Sequence, residues 1–193
     1  MPFYPLHVSS GHSFLRSALS VKKIVGLALK NNISATAITD RHNLSAYAEF
    51  DDLCQKTGIT PIFGLDIDLG DEGITCFIRN EVGYLNAIAI DFEISRGNLS
   101  IEMVKDHAEG LLIVYDCAYP KLSKMMKDSP GEIPTYLAHF ASGFELFYLG
   151  LPYELNDRGY VSFLRNFVEK YPHPLVAFPH YLYEKKGDAI AVE

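Results

Sequence analysis

Side chains that bind metal ions in proteins follow five apolar segments of this sequence. In chain order they are His7, Asp40, Asp66, Cys117 and His180. Imidazole, carboxylate and thiolate groups hold zinc or manganese when they converge to within about 2–2.5 Å of the ion. If the apolar segments are parallel strands, their carboxyl ends meet at one edge, where such proteins bind their ligands. The pattern therefore predicts a metal-ligand site, although no single short motif carries it.

Each of these residues also has a structural explanation when it is considered alone. A histidine near a strand end is commonly a hydrogen-bonded residue of the rim, and Cys117 has the character of a small buried hydrophobe. Asp40 is followed by Arg-His-Asn and is suited to an Asx turn or a helix cap. Asp66 is harder to explain in this way, because a carboxylate within an apolar strand needs partners. Only the five residues together favour a site.

Short apolar segments alternate with helical patterns along the chain. Strand patterns cover residues 3–7, 34–39, 60–69, 74–79, 110–117, 144–151 and 173–181. Helical patterns cover residues 21–31, 45–57, 81–94, 100–107 and 157–171, two short stretches within 120–142, and the start of a helix at 187–193. Apolar faces are expected at Val21, Ile24, Val25, Ala28 and Leu29 in the first helix, and at Tyr84, Leu85, Ile88 and Phe92 in the third. This alternation predicts an α/β fold with a parallel sheet covered by helices, either open and doubly wound or closed into a barrel.

The composition argues against several classes of protein. The 193 residues carry a formal net charge of −7, which opposes strong binding of a nucleic-acid backbone by this segment. Three widely spaced cysteines with no CxxC pair favour a reducing compartment and a cytoplasmic location. No apolar run approaches the roughly 20 residues that span a bilayer. Neither GxGxxG nor GxxxxGK[ST] occurs, so no nucleotide-binding loop is predicted.

Four segments, taken in order, resemble a known family. They are "PLHVSSGHSFLRSALSVKKIV", "ATAITDRHNLSAYAEFDDLCQKTGITPIFGLDI", "EGLLIVYDC" and "PLVAFPHYL" with a later "GDA". The family is the polymerase-and-histidinol-phosphatase (PHP) domain, and the segments are most similar to the version at the N-terminus of bacterial DNA polymerase III alpha subunits. The match is most specific over 35–67 and weakest over 118–140. It implies a distorted (β/α)7 TIM-like barrel, with 1–193 as a single PHP domain and a fragment of a longer polymerase chain.

The resemblance also implies a chemistry for the retained residues. Intact members carry an "HxH" loop, a "TDH" turn and further carboxylate, cysteine and histidine ligands. Together these resemble a trinuclear centre for phosphoester hydrolysis, in which cations activate a water and neutralise the phosphate. In polymerases an intact centre is associated with proofreading exonuclease activity. The matching positions here are His7, Asp40, Asp66, Cys117 and His180.

Three positions of the family site are substituted in this sequence. The second histidine of the loop is Ser9, an aspartate is Arg16, and the histidine of the "TDH" turn is Arg41. Each guanidinium would repel a metal ion by on the order of 4 kcal/mol at about 4 Å and an effective dielectric of about 20. We therefore expect no catalytic residue and no metal cofactor, and we expect Arg41 to pair with Asp40 or Asp66. The alternative is one weak zinc or manganese site made by His7, Asp66, Cys117 and His180.

These features lead to a main hypothesis and two alternatives. The main one is a degenerate, non-catalytic PHP domain of a DNA polymerase III alpha subunit, whose parent chain is a DNA-directed DNA polymerase, a nucleotidyltransferase of DNA replication. Its expected partners are the rest of the alpha subunit and a proofreading exonuclease, with little nucleic-acid contact and no membrane. The first alternative is a stand-alone metal-dependent phosphoesterase with ligands recruited from His12, His42, His107 and His139. The second is an adaptor domain with an exposed aromatic patch at Phe144, Phe147, Tyr148 and Tyr153.

Overall fold

The computed structural model describes residues 4–152, 159, 162, 166, 174–182 and 184. Most of the helix predicted over 157–171, and all of the one predicted over 187–193, lies outside the described residues. The strands are β1 (His7–Val8), β2 (Ala35–Arg41), β3 (Thr60–Asp68), β4 (Gly73–Ile78), β5 (Leu111–Asp116), β6 (Phe147–Leu151), β7 (Leu175–Ala177) and β8 (His180–Tyr181). The helices are α1 (Val21–Lys30), α2 (Tyr47–Thr57), α3 (Glu81–Ser95), α4 (Ile101–Asp106), α5 (Pro120–Asp128) and α6 (Ile133–Ala141), with a 3-10 turn at Pro130–Glu132. The chain divides into two compact units, 1–67 with 179–193 and 68–178.

The first unit is built on two pairs of parallel strands. Strand β1 pairs with β8, so that His7 lies opposite His180. Strand β2 pairs with β3 along its whole length, and Arg41 lies opposite Asp66 at the carboxyl end of the pair. The interior residues of β2 are buried on both faces, as expected for a parallel strand with an almost continuous apolar sequence.

Hydrogen bonds join these two pairs of strands to each other. The backbone amide of Ala37 donates to the carbonyl of Pro5 (3.1 Å), and further along both strands the amide of Val8 donates to the hydroxyl of Thr39 (2.9 Å). The Thr39 hydroxyl in turn donates to the carbonyl of Val8 (3.2 Å). Strands β1 and β2 therefore run in the same direction, and the carboxyl ends of β1, β2, β3 and β8 lie on one side of the unit.

Local signals define the two helices of the first unit. The hydroxyl of Ser20 accepts a hydrogen bond from the amide of Lys23 and caps α1. Gly58 ends α2 in the left-handed conformation at a φ of 73°. Both helices were predicted at these places. One residue of the predicted apolar face is wrong, because Leu29 is 48% exposed while the rest of that face is buried.

The second unit contains both parallel and antiparallel strand pairs. Strand β4 pairs antiparallel with β5, while β5 with β6 and β6 with β7 are parallel. The prediction of an entirely parallel sheet is therefore wrong. Only four residues, Leu69–Glu72, separate β3 from β4, closed by a bond from the Leu69 amide to the Glu72 carbonyl (2.8 Å). A connection of this length is too short for the crossover helix that parallel neighbours require.

Helix α3 of the second unit is apolar on all sides. Its packed face consists of Gly83, Ala87 and Ile90. A Cβ atom at Gly83 would lie 2.1 Å from the carbonyl oxygen of Gly110, so the helix approaches that backbone as only glycine allows. The larger apolar residues that were predicted to form the packed face are instead exposed; they are Tyr84, Leu85, Ile88 and Phe92. The face with the smaller residues packs against the unit.

Aromatic rings fill the end of the second unit near β6. Phe140 lies edge-on to Tyr115 at 4.9 Å, and the rings of Phe144 and Phe147 are parallel with centroids 6.2 Å apart. Phe147 is only 8% exposed, so it does not belong to an exposed aromatic patch. Tyr153 of that predicted patch lies outside the described residues. Among the helices that the structure describes, none has the length and apolar character to cross a membrane.

Candidate functional site

Four of the five predicted ligand residues lie at the strand ends of the first unit. His7 begins β1, Asp40 and Asp66 lie near the ends of β2 and β3, and His180 begins β8. His7, Asp40 and Asp66 are each exposed by 2% or less. Buried ionisable groups of this kind persist only when other groups satisfy them, so their partners define what the site can do.

Asp66 lies between a histidine and an arginine. Its Oδ1 is 3.3 Å from Nε2 of His7, and its Oδ2 accepts a hydrogen bond from NH1 of Arg16 at 3.2 Å. Arg16 is one of the two substituted positions that bring a positive charge, and its side chain is 24% exposed. Arg16 lies 50 residues from Asp66 in the chain and was not predicted from the sequence as its partner.

These contacts change the acidity of the Asp66 carboxyl group. Burial raises its pKa, but the charge and hydrogen bond of His7 and the charges of Arg16 and His180 outweigh burial. The pKa of Asp66 therefore lies below its usual value. The carboxyl group is ionised at neutral pH, and the guanidinium of Arg16 lies beside it.

The two retained histidines pack against each other. The ring centroids of His7 and His180 are 3.9 Å apart, and the ring planes meet at 61°. Two imidazoles bound to one tetrahedral zinc ion would have centroids about 5 Å apart, given Zn–N distances near 2.0–2.1 Å. The rings thus lie closer together than a shared tetrahedral ion would place them.

Asp40 is held by the serine-rich loop that follows β1. Its Oδ1 accepts hydrogen bonds from the Ser10 amide and the Ser13 hydroxyl, both at 2.6 Å. Its Oδ2 accepts one from the Ser10 hydroxyl at 2.7 Å. The Ser13 hydroxyl also accepts from the amide of Arg41 at 2.9 Å, which ties the substituted "TDR" turn to the same loop. Both oxygens of this retained carboxylate therefore serve as acceptors inside the protein.

The serine that replaces the second histidine is also used structurally. The hydroxyl of Ser9 donates to the carbonyl of Thr39 (3.3 Å), next to the end of β2. The hydroxyl of Ser17 lies within hydrogen-bond distance of the carbonyls of Ser9 (2.6 Å) and Leu182 (2.8 Å). This role of the serines was not predicted from the sequence. The clustering of four serines at positions 9, 10, 13 and 17 was the signal that could have indicated it.

The fifth predicted ligand, Cys117, lies in the second unit directly after β5. It is fully buried, and its amide donates to the carbonyl of Gly150 at 3.0 Å. Burial and the charge of Asp116 raise the pKa of the Cys117 thiol. The three cysteines, Cys54, Cys76 and Cys117, are all buried and unbridged.

The histidines considered for a rearranged metal site are distributed over both units. His12 is exposed in the loop after β1, and His42 follows β2 with a left-handed φ of 55°. His107 directly follows the last residue of α4, and His139 is exposed on α6.

Binding of metal ions by the carboxylates of the first unit would replace the contacts that they make in this structure. Asp40 would have to give up hydrogen bonds to the loop, and Asp66 would have to exchange contacts with His7 and Arg16 for metal bonds. What the arrangement does is join β1, β2 and β3 to the loop through buried, charge-assisted hydrogen bonds.

Comparison with known sequences gives a consistent family assignment. A family model described as "PHP domain" matches residues 5–152. The DNA polymerase III subunit alpha of Rickettsia bellii is 29% identical over 213 aligned positions, which cover 96% of this chain and 17% of the relative. The corresponding subunit of Mycoplasma genitalium is 38% identical over 94 positions, covering 46% of this chain and 11% of the relative. The chain thus spans less than a fifth of the length of these relatives.

Solved structures with similar folds have little sequence identity to this chain. A candidate metal-dependent phosphoesterase from Bifidobacterium adolescentis has a TM-score of 0.62 at 11% identity, covering 92% of this chain and 87% of the other. An amidohydrolase from Chromobacterium violaceum, with bound sulfate and no metal, has a TM-score of 0.58 at 12% identity, covering 95% and 88%. At this identity the likeness is one of fold, and it supports an α/β architecture of the PHP and TIM-like type.

Proposed function

The chain belongs to the PHP domain family, and from that membership we propose that it is a non-catalytic PHP domain of a bacterial DNA polymerase III alpha subunit. The observation that carries this proposal is the contact between Arg16 and Asp66. A guanidinium bound to a carboxylate of the ancestral metal site supplies positive charge without an open coordination position. Such a site can stabilise the fold, but it cannot activate a water molecule in the way a metal ion does.

The proposal extends to the architecture of the domain. We propose that residues 1–193 form one PHP domain with the distorted (β/α)7 barrel of the family. The parallel pairs β1–β8 and β2–β3, and the parallel order of β5, β6 and β7, support this arrangement. The hairpin-like connection before β4 accounts for the distortion, since it replaces one crossover helix by a short turn.

The role proposed for the domain is structural. Polymerisation would be carried out by other parts of a longer alpha subunit, in the cytoplasm, and this domain would pack against them and dock a proofreading exonuclease. Similarity to alpha subunits over 96% of the chain supports the polymerase context. The net charge of −7 supports a role in protein contacts rather than direct contacts with DNA. Sequencing the gene beyond residue 193 tests this context, with an in-frame polymerase sequence as the expected result.

Metal content and hydrolysis test the non-catalytic part of the proposal. The chain is purified without added metal, analysed for zinc and manganese, and assayed on bis(p-nitrophenyl) phosphate with and without chelator. We expect substoichiometric metal and no chelator-sensitive hydrolysis. A matched variant, Ser9→His with Arg16→Asp and Arg41→His, restores the family ligand types and serves as the comparison for metal uptake.

The alternative function is that of a metal-dependent phosphoesterase with a rearranged site. The neighbouring imidazoles of His7, which is buried, and His180, which is half-buried, favour it, since both are retained ligand types. Stoichiometric, tightly held metal in the unsubstituted chain, together with hydrolysis that a chelator abolishes, would establish this alternative and overturn the non-catalytic proposal.

A further inference from the structure

Helix α3 exposes a row of large apolar side chains. Leu85, Ile88 and Phe92 are 60%, 42% and 57% exposed and follow one another at spacings of three and four residues, so they lie along one side of the helix. We call these three residues the α3 stripe. Val82 and Tyr84, at 43% and 45% exposure, flank its N-terminal end.

The size of this apolar surface is unusual for a monomer. With ordinary side-chain areas, the exposed fractions of the stripe and its two flanking residues amount to roughly 500 Å², near the upper end of the largest patch on a typical monomeric protein. The residues that pack α3 against its own unit are Gly83, Ala87 and Ile90. The stripe is therefore additional to the contacts that hold the helix in place.

Opposite charges mark the two ends of the stripe. Glu81 is the first residue of α3 and is exposed on the same side as Leu85, one turn away. Arg96 follows the last turn, 59% exposed, with its guanidinium carbon 5.6 Å from the centre of the Phe92 ring. Its contact with Glu93 is long, at 3.8 Å, and Arg96 is itself mostly exposed to solvent, so the contact holds Arg96 only weakly.

The order of these residues is self-complementary. When two copies of α3 are placed antiparallel about a two-fold axis between positions 88 and 89, Leu85 of each copy meets Phe92 of the other. The same axis places Glu81 of each copy opposite Arg96 of the other, because both pairs are symmetric about that point. A parallel arrangement would instead bring like charges together. We propose that the α3 stripe is the interface through which two copies of this chain form a symmetric dimer.

The size of the stripe sets the strength expected of this dimer. Two copies of the stripe together with its flanking residues would bury at most about 1,000 Å² in total, which is the lower limit for a specific interface and fits a weak, concentration-dependent association. The two symmetric Glu81–Arg96 pairs lie at the rim, so they select the antiparallel arrangement and make the association sensitive to salt. The inference does not depend on the proposed polymerase context, since it uses only α3 itself.

Sedimentation velocity of the 193-residue chain, from roughly 5 to 500 μM, tests the interface. We expect a reversible monomer–dimer equilibrium that Leu85→Glu and Phe92→Glu abolish. Leu29→Glu is the matched control, because Leu29 is a similarly exposed leucine (48%) on α1 and the substitution should leave the dimer intact. Circular dichroism and melting temperature establish that each variant is folded.

A charge swap tests the antiparallel geometry separately. Arg96→Glu should weaken dimerisation by about tenfold or more, and Glu81→Arg combined with Arg96→Glu should restore it, because the end charges are again opposite. A chain that stays monomeric throughout the concentration range would overturn the proposal, and the stripe would then belong to a different partner. Dimerisation that Leu85→Glu leaves unchanged, or a double variant no stronger than Arg96→Glu alone, would overturn it as well.

Discussion

Substitution of Arg16 by methionine removes a positive charge 3.2 Å from the buried carboxylate of Asp66. At an effective dielectric of about 20, the direct attraction across that distance is about 5 kcal/mol before any cost of desolvation. Removing one partner of a buried pair costs roughly 3–5 kcal/mol. Arg16 is 24% exposed and His7 still contacts the other carboxylate oxygen, so both effects reduce the loss. We expect Arg16→Met to lower the free energy of unfolding by about 2–3 kcal/mol.

A double-mutant cycle isolates the interaction from other effects of each substitution. Asp66→Asn keeps the size of the side chain and removes its charge, so Arg16 gains little from it. The loss from Arg16→Met should therefore be smaller in the Asp66→Asn background, with a coupling energy of about 1–2 kcal/mol. Urea denaturation followed by circular dichroism measures all four proteins. Additive effects, with a coupling below roughly 0.5 kcal/mol, would refute the reasoning that these two groups stabilise each other.

The matched control is an ion pair on the surface. Lys56 and Asp52 lie one turn apart on α2 and are 67% and 59% exposed. Solvent screening and side-chain entropy leave such pairs with about 0–1 kcal/mol, so Lys56→Met should change stability by less than about 0.5 kcal/mol. If Lys56→Met lowers the free energy of unfolding as much as Arg16→Met does, then burial of Asp66 is not the reason for the strength of the Arg16–Asp66 pair.

Acid provides a second readout of the same carboxylate. The pKa of Asp66 is lowered in the folded protein, so the unfolded chain binds a proton more readily than the folded one. The stabilisation is present in full above the unfolded pKa, about 3.9, and is lost as the pH falls through the lower folded value. Below about pH 4, wild type should therefore lose stability more steeply than Asp66→Asn. If the free energy of unfolding fell equally steeply with pH in wild type and in Asp66→Asn, the lowered pKa of Asp66 would be contradicted.

The remaining predictions concern the serine loop and two helical glycines. Asp40→Asn should lower the free energy of unfolding, measured by urea denaturation, by about 2–4 kcal/mol, because an amide cannot accept all three of the loop's hydrogen bonds. A loss under about 1 kcal/mol would show that the loop rearranges easily. Gly83→Ala should cost at least about 2 kcal/mol, since its Cβ would meet the carbonyl of Gly110, whereas Gly26→Ala, with open space around it, should raise the melting temperature through a gain of about 0.5–1 kcal/mol. Equal effects of the two glycine substitutions would argue against the close approach at Gly110.

Sequence patterns predicted the helices well where their ends are defined by neighbouring residues. Ser20 and Gly58 sit within a few residues of the backbone groups they cap, so local chemistry decides the helix end. The direction of β4 was not accessible in the same way. A short, fully buried apolar strand has a similar sequence whether it pairs parallel or antiparallel, so the residues of β4 do not reveal its direction.

Predicting the site required knowledge of which distant residues meet. His7, Asp40, Asp66 and His180 lie in the first unit, on parallel strands whose positions the apolar segments of the sequence indicated. The partners were not predictable, since the Arg16–Asp66 pair spans 50 residues. The bonds from the serine loop to Asp40 span 27 and 30 residues, and no local pattern specifies contacts of that kind.

Helix α3 shows a related limit of periodicity. The spacing of Leu85, Ile88 and Phe92 fixes that they share a side, but it does not say what covers that side. In an amphipathic helix the polar face identifies the exposed side by contrast. Here the opposite face is also apolar, and its small residues Gly83 and Ala87 allow the closer approach to the protein. Size rather than hydrophobicity decided which face packed.

A metal ion in a hydrolytic site does two things, and a guanidinium can do only one of them. The metal ion neutralises the carboxylates that converge on it, and it also binds a water molecule and lowers the pKa of that water. Arg16 neutralises the carboxylate of Asp66 from a distance of 3.2 Å. Because this positive charge belongs to a side chain of the protein, no exchangeable ion is needed. A guanidinium has no coordination position at which to bind and activate a water molecule. Substitution of a ligand by arginine can therefore preserve the electrostatic balance of a buried carboxylate, and with it the fold, while removing the means of activating water.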